Sequence, residues 1–141
     1  MLIAEILKEK GADVYRAAPA DTLGDTVRQL DEKRIGALVI CDGDKVVGIL
    51  SERDLVRAVS RDGEGALTRP VSAYMSADVI FAQPTETVNT LMERMTDRRI
   101  RHLPVIQDDR LVGVVSIGDL VKSRIAEATY EAESMKAYIG G

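Results

Sequence analysis

Residues 48–54 read Gly-Ile-Leu-Ser-Glu-Arg-Asp, and residues 113–119 read Gly-Val-Val-Ser-Ile-Gly-Asp. Each copy follows an apolar, β-rich stretch and precedes a helical pattern. The pattern predicts a strand that enters a tight turn, with Ser51 and Ser116 at the N-caps of the helices that follow. The same strand–turn–helix unit is therefore encoded twice.

The repetition extends well beyond these two motifs. Asp13–Arg57 aligns without a gap with Asp78–Lys122, at a constant spacing of 65 residues. A period this long that occurs only twice differs from a solenoid, in which several short units stack. Each half has about 60 residues, a size at which an independent fold is marginal. We therefore predict two small domains, 1–66 with the N-terminal helix and 67–141 with a long C-terminal helix, that pack together around doubly lined clefts.

Each repeat is predicted to run strand, helix, strand, strand, helix, after an N-terminal helix over Ile3–Lys10. The stretch Asp42-Gly43-Asp44-Lys45 is a strong hairpin signal. Glycines and charges over Arg61–Ala66 predict a flexible loop between the repeats. The predicted strands are Val14–Ala17, Ala37–Cys41, Val46–Leu50, Ile80–Ala82, Leu103–Ile106 and Leu111–Val115; the predicted helices are Leu23–Lys33, Ser51 to about Ser60, Val88–Arg98 and Ser116 to about Tyr138, with a helical turn at Pro70–Met75.

Composition restricts the class of function. The 141 residues carry a net charge of −4, a poor match for duplex DNA or an anionic membrane surface. No apolar run reaches the roughly 18 residues of a membrane helix. The single cysteine, Cys41, excludes an internal disulfide, and the single histidine, His102, is a weak basis for metal catalysis. We expect a cytoplasmic protein whose main partner is neither nucleic acid nor membrane.

The repeated motif places ligand-binding chemistry at the turn. A glycine there allows a backbone or a ligand to approach closely. A serine at an N-cap lies beside free N–H groups and the positive end of the helix dipole, which suits a phosphate. Asp54 and Asp119, three residues later, offer acceptor oxygens for the vicinal hydroxyls of a ribose. Ser-x-x-Asp is also close to a helix capping box, and the two interpretations are compatible because a cap uses only some of the groups.

The run Arg98–His102 is cationic within an acidic chain. A solvated helix end accounts for its first two arginines, whereas Arg101, at the start of an apolar strand, favours an anionic partner. The matching positions of the first repeat, Gly36 and Ala37, have no cation. The two clefts are therefore expected to be unequal.

The last helix carries an apolar seam in a heptad pattern that is too short to establish a coiled coil. Two interpretations stay open: the seam docks on the protein's own body, or it forms a subunit contact. The seam consists of Val121, Ile125, Ala128, Ala132, Met135 and Ile139.

The tandem repeat, the duplicated motif and the strand Arg101-His102-Leu103-Pro104-Val105 together resemble a pair of CBS domains, named for the cystathionine β-synthase tail. The resemblance covers Ile3–Ile125 and is to the stand-alone pairs of bacteria and archaea. It implies an α+β fold in which two three-stranded sheets, with two helices each, pack about a pseudo-twofold axis. It also implies clefts for adenosine-containing regulatory ligands (AMP, ADP, ATP, NAD(H) or S-adenosylmethionine), with no required cofactor, and a flat homodimer.

The resemblance also implies roles for individual positions. The serines and aspartates of the motifs would hold phosphate and ribose, and two short strand segments would line an adenine slot. We expect the second repeat's Ser116, Asp119, Arg101 and His102 to share one cleft. The expected ligand-binding residues are Val14, Tyr15, Gly48, Ser51, Arg53, Asp54, Val79, Ile80, Arg101, His102, Pro104, Gly113, Ser116 and Asp119.

The leading hypothesis is a non-catalytic sensor: an adenosyl nucleotide binds between the repeats, shifts their packing or that of a dimer, and an unidentified regulated protein responds. The alternative is a structural or oligomerisation module with vestigial clefts. An enzyme is disfavoured because the sequence has no credible catalytic set and no phosphate loop.

Overall fold

The computed structural model describes residues 1–11 and 14–140, so the first residue of the predicted repeat, Asp13, and the C-terminal Gly141 lie outside the described residues. The elements follow the predicted order in each repeat. They are α1 (Ile3–Lys10), β1 (Arg16–Ala17), α2 (Leu23–Lys33), β2 (Ala37–Asp42), β3 (Lys45–Ser51), α3 (Glu52–Asp62), α4 (Val88–Arg98), β4 (His102–Gln107), β5 (Arg110–Ser116) and α5 (Ile117–Gly140), with 3₁₀ segments at Gly63–Thr68 and Val71–Ala73.

The two sheets repeat the same register. Strands β2 and β3 are antiparallel and pair Ala37 with Ser51, while β4 and β5 pair His102 with Ser116, 65 residues later. Each pair contains one register shift, at equivalent positions. The predicted α+β fold of two repeats is confirmed.

The first strand of each repeat is shorter than predicted. In the first sheet, β1 has two residues and lies parallel to β2. In the second repeat, the predicted strand Ile80–Ala82 is reduced to a single parallel bridge between Ala82 and Val105. The second sheet therefore has two strands and one bridge where three strands were expected.

Local capping signals account for the helix bounds. Thr22 and Thr87 accept hydrogen bonds from the backbone N–H groups of Asp25 and Thr90, which starts α2 and α4 at the predicted residues. Both helices end at an arginine in the left-handed conformation, at equivalent positions of the two repeats. The helix pattern is therefore a local property of each repeat.

Each of the two cores contains residues from outside its own repeat. Ile3 and Ile6 of α1 pack among the core side chains of the second repeat. In return, Ala66 and Val71, between the repeats, complete the core of the first. The predicted flexible loop at Arg61–Ala66 is therefore wrong: α3 extends to Asp62, a 3₁₀ turn follows, and Ala66 is fully buried. The glycines there allow a compact turn instead of a free linker.

The seam of α5 is not covered by the protein's own body. Val121, Ile125 and Met135 are 40%, 61% and 63% exposed, although all three are apolar. The first of the two interpretations, docking on the chain itself, is excluded for these residues. The side chain of Ile139 lies outside the described residues. None of the described helices combines the length and apolar character that a membrane span requires.

Candidate functional site

The turn between β3 and α3 holds a complete capping box. The backbone N–H and the Oγ of Ser51 both donate to Asp54 Oδ2, at 2.9 and 3.1 Å, and Ser51 Oγ accepts from the Asp54 N–H at 3.3 Å. Asp54 Oδ1 accepts a hydrogen bond from Ser76 Oγ at 3.1 Å. Asp54 is only 7% exposed. The capping interpretation is thus confirmed, and any ligand must share a carboxylate that already accepts several bonds.

The free N–H groups that the sequence suggested at this helix start are partly used. The Glu52 N–H donates to Gly36 O at 3.1 Å, and the Asp54 N–H donates to Ser51 Oγ. In the second repeat, the Ile117 N–H likewise donates to Arg101 O at 2.8 Å. Side chains must therefore supply most of the donors for a bound anion.

The turn between β5 and α5 is similar, with one added group. Asp119 Oδ2 accepts from the Ser116 N–H at 2.9 Å, and Ser116 Oγ accepts from the Asp119 N–H at 3.1 Å. Lys10 Nζ, at the end of α1, donates to Asp119 Oδ2 at 2.7 Å. Partial burial acts to raise the pKa of Asp119, but the hydrogen bond from Lys10 and those from Ser116 outweigh it and hold the pKa below its usual value.

The larger cavity, cleft 1, is built from both repeats and has a volume of about 650 Å³. The first repeat contributes the start of α3, and the second contributes the segment before the Ala82 bridge and the start of β4. Of the predicted site residues, cleft 1 is lined by Ser51, Arg53, Asp54, Val79, Ile80, Arg101, His102, Pro104 and Ser116.

The smaller cavity, cleft 2, has a volume of about 330 Å³ and reverses the roles of the repeats. Here the second repeat contributes the start of α5, and the first contributes the segment before β1. The Tyr15 ring on this side has the Lys33 ammonium 5.1 Å from its centroid. Of the predicted residues, cleft 2 is lined by Val14, Tyr15, His102, Gly113, Ser116 and Asp119.

This exchange corrects one expectation from the sequence. Arg101 does not line the same cleft as Asp119; it lies in cleft 1 with Ser51 and Asp54. His102 and Ser116 line both cavities. The aspartate of the second motif and the arginine of the cationic strand thus line different clefts, because each cleft forms where one repeat faces the other.

Cleft 1 is rich in arginine. Two arginines come from α3 and three from the end of α4 and the start of β4, against three acids, Glu52, Asp54 and Asp78. Arg53 also donates to the backbone oxygen of Arg99 at 3.4 Å, which ties the two groups together. Within the described residues none of the five forms an ion pair. The five are Arg53, Arg57, Arg98, Arg99 and Arg101.

His102 explains why the first repeat departs from the second at Gly36. A Cβ at Gly36 would lie 3.0 Å from His102 Nε2 and 3.3 Å from Glu52 Oε1. Burial is the main cause that lowers the pKa of His102. The missing side chain at Gly36 therefore makes room for a histidine of the other repeat, and the departure reflects complementary packing.

The motif glycines serve packing. A Cβ at Gly48 would overlap the Met75 side chain, and one at Gly113 would lie 2.5 Å from Leu7 Cδ2. Gly48 lines neither of the two described clefts, contrary to expectation. Both glycines let an apolar side chain from outside the sheet reach the strand backbone.

Gly113→Ala is expected to lower the stability of the fold by about 1–3 kcal/mol, since the Leu7 side chain must move from its packed position to admit the methyl group. Thermal unfolding monitored by circular dichroism measures it. Gly65→Ala is the matched control, because no atom lies within 4 Å of its Cβ position. Equal melting temperatures for the two variants would show that Leu7 moves aside without a loss of stability.

Several cleft residues carried no recognised ligand-binding signal in the sequence. Lys10 and Ser76 are distant from the motifs and reach the two aspartates only through the fold. Arg57 follows the first motif on α3, and Arg98 and Arg99 resembled a solvated helix end. The cationic run was a usable signal for these last two, whereas Lys10 and Ser76 had none.

Comparison with known proteins gives a consistent family. The family model described as CBS domain matches residues 3–61 and 71–126. The CBS domain-containing protein CBSX3, mitochondrial, of Arabidopsis thaliana is 33% identical over 148 residues, which cover 99% of this chain and 72% of that protein.

Two solved structures extend this likeness. The CBS-domain containing protein ATU1752 of Agrobacterium tumefaciens superposes with a TM-score of 0.85 at 41% identity, covering 88% of this chain and 99% of the other. The CBS domain pair of protein MJ0100, solved in complex with 5′-methylthioadenosine and S-adenosyl-L-methionine, has a TM-score of 0.77 at 25% identity, covering 86% of this chain and 98% of the other.

Proposed function

This chain belongs to the CBS domain family as a tandem pair, and from that premise we propose that it is a non-catalytic regulatory module for an adenosyl nucleotide. The nucleotide binds between the repeats and changes their packing or that of a dimer. A regulated partner protein responds to the change. Such a ligand shifts the packing only as far as it binds one arrangement more tightly than another.

The observation that carries the proposal is the composition of cleft 1. Val79, Ile80 and Pro104 supply an apolar wall from one repeat, and Asp54 supplies a carboxylate from the other. Its volume of about 650 Å³ lies within the roughly 300–1,000 Å³ of small-molecule sites. The apolar wall suits the face of a base, the carboxylate suits a ribose, and the arginines of the same cleft suit a charged tail.

The arginine cluster supports a phosphate-bearing ligand in cleft 1. Guanidinium groups bind phosphate oxygens with paired, charge-assisted hydrogen bonds. The relative solved with 5′-methylthioadenosine and S-adenosyl-L-methionine supports an adenosyl ligand in general. S-adenosylmethionine has one carboxylate against a sulfonium and an ammonium, so its net positive charge matches five arginines poorly, and AMP, ADP or ATP suits this cleft better.

A thermal-shift panel of AMP, ADP, ATP, NAD(H), S-adenosylmethionine and adenosine tests the proposal. A ligand at 100 times its dissociation constant should add about 2.7 kcal/mol to the free energy of unfolding. GTP is the matched control, because it keeps the phosphates and changes the base. If none of these compounds shifts the melting temperature, the alternative function as a structural or oligomerisation module replaces this one.

The exposed seam of α5 supports a homodimer as the unit that transmits the signal. Three of its apolar residues, Val121, Ile125 and Met135, are exposed to solvent in the single chain. Burial of the seam against a second copy removes apolar surface from water at about 25 cal/mol per Å². The seam lies on α5, the helix that begins directly after the cleft residue Ser116. Ligand binding in the cleft and association of two chains are therefore connected through one helix.

Light scattering at micromolar concentration is expected to give about twice the 15.4 kDa chain mass. Ile125→Glu, in the seam, should shift the protein towards monomer because it places a charge in the apolar contact. Ala126→Glu, the next residue and off the seam, is the matched control. A monomer for the unaltered chain, with and without nucleotide, would contradict the dimer.

A further inference from the structure

The motif aspartates of the two clefts have different hydrogen-bond partners. In cleft 1, Ser76 exchanges two backbone hydrogen bonds with Ile49, at 3.0 and 2.9 Å, and its Oγ donates to Asp54. In cleft 2, the equivalents of Ile49 and Asp54 are Val114 and Asp119. Both accept from one group, Lys10 Nζ, at 2.9 and 2.7 Å. A single ammonium thus replaces a backbone bridge and a hydroxyl.

This replacement makes the wall of cleft 2 easier to open. A backbone bridge moves only with its strand, whereas a lysine side chain leaves by rotating its own bonds. The Lys10 side chain is 44% exposed, and a pair that exposed is worth little in water. Packing of Leu7 on Gly113 holds the preceding turn of α1, so Lys10 lies at the end of the helix, next to the cleft.

We propose that Lys10 is a displaceable latch on cleft 2: it occupies the carboxylate that a ribose would use, and a ligand enters only as Lys10 leaves. The inference rests on the proposed adenosyl ligand. A cis-diol uses both oxygens of an aspartate, and Oδ2 of Asp119 already holds Lys10 and the Ser116 N–H. In cleft 1, Asp54 accepts from hydroxyls and a backbone N–H, with no ammonium to displace among its described partners, so cleft 1 fills first. Release of Lys10 then couples ligand binding in cleft 2 to the end of α1.

The latch predicts that removal of Lys10 improves binding. In an Asp54→Ala background, which weakens cleft 1, Lys10→Met should tighten adenosine binding about two- to five-fold, the factor by which the closed latch reduces the competent population. Adenosine is used because it has no phosphate for Lys10 to attract. Lys8→Met, on the same helix and outside the lining of cleft 2, is the matched control. Addition of Asp119→Ala should abolish the gain.

A second readout separates a latch from a binding residue. Acetylation of Lys10 by acetic anhydride, followed by mass spectrometry, should become faster when adenosine is added, relative to Lys8. Slower acetylation, or weaker binding in Lys10→Met, would make Lys10 a ligand contact and overturn the latch. Unchanged values in both measurements would overturn it as well, while cleft 1 could still bind AMP. Absence of binding by any adenosyl compound to the unaltered chain would instead remove the proposed function and the latch together.

Discussion

Asp54→Ala is expected to weaken AMP binding in cleft 1 by about 10- to 100-fold. Charge-assisted hydrogen bonds from two ribose hydroxyls to this carboxylate are each worth about 1.5–3 kcal/mol, and about 1.4 kcal/mol corresponds to a factor of ten. The loss is limited because Asp54 already accepts bonds from Ser51 and Ser76 in the free protein. Isothermal titration calorimetry measures the affinity directly.

The same variant should also be less stable, because it removes half of a capping box. An N-terminal cap contributes about 0.5–2 kcal/mol to the free energy of unfolding. Asp54→Asn separates the two effects, since the amide oxygen can still accept the Ser51 N–H while the negative charge is lost. Asp119→Ala is the parallel variant for cleft 2. Unchanged affinity in both alanine variants, with only the melting temperature lowered, would leave these aspartates as caps alone.

Arg101→Ala is expected to weaken AMP about ten-fold and adenosine less than about two-fold. Arg101 lies in the cationic wall of cleft 1, and we expect its guanidinium to contact the phosphate and not the nucleoside. High salt should narrow the difference between the two ligands, because exposed charges are screened over about 10 Å at 0.1 M. Titrations of both ligands against the unaltered chain and Arg101→Ala, at low and high salt, give the four affinity ratios that test this directly.

Arg110→Ala controls for the loss of one positive charge, because Arg110 lies at the hairpin end of β5 and outside the lining of either cleft. Equal losses for AMP and adenosine in Arg101→Ala would mean that Arg101 shapes the cleft without reading phosphate. Equal losses in Arg101→Ala and Arg110→Ala would assign the effect to net charge.

The elements whose bounds depend on local interactions were predicted most accurately from the sequence. Helices Leu23–Lys33 and Val88–Arg98 were placed at the observed residues, because a threonine cap and an amphipathic pattern act within a few positions. The prediction was wrong at Arg61–Ala66, where glycines indicated a loop but burial of Ala66 in the first core stabilises a 3₁₀ turn. The prediction of a strand at Ile80–Ala82 was wrong for a related reason, since strand length depends on the partner strand.

The candidate site shows the same division. That Ser51, Asp54, Arg101 and Pro104 belong to clefts was predictable from the duplicated motif and the cationic strand. Which residues share a cleft was not, because cleft 1 joins the α3 start of one repeat to the β4 start of the other. Gly36 looked like a lost cation in the sequence and proves to be the space that His102 occupies.

By itself, the sequence determined the repeat, the element order, the capping boxes and the family, because each is written in residues that lie close together or recur at a constant spacing. Tertiary structure alone decided that α1 joins the second core, that the motifs and arginines combine across repeats, and that Lys10 meets Asp119. The physical reason is distance along the chain. Contacts between residues about 50–110 positions apart depend on how two folded repeats pack, and no local pattern carries that information.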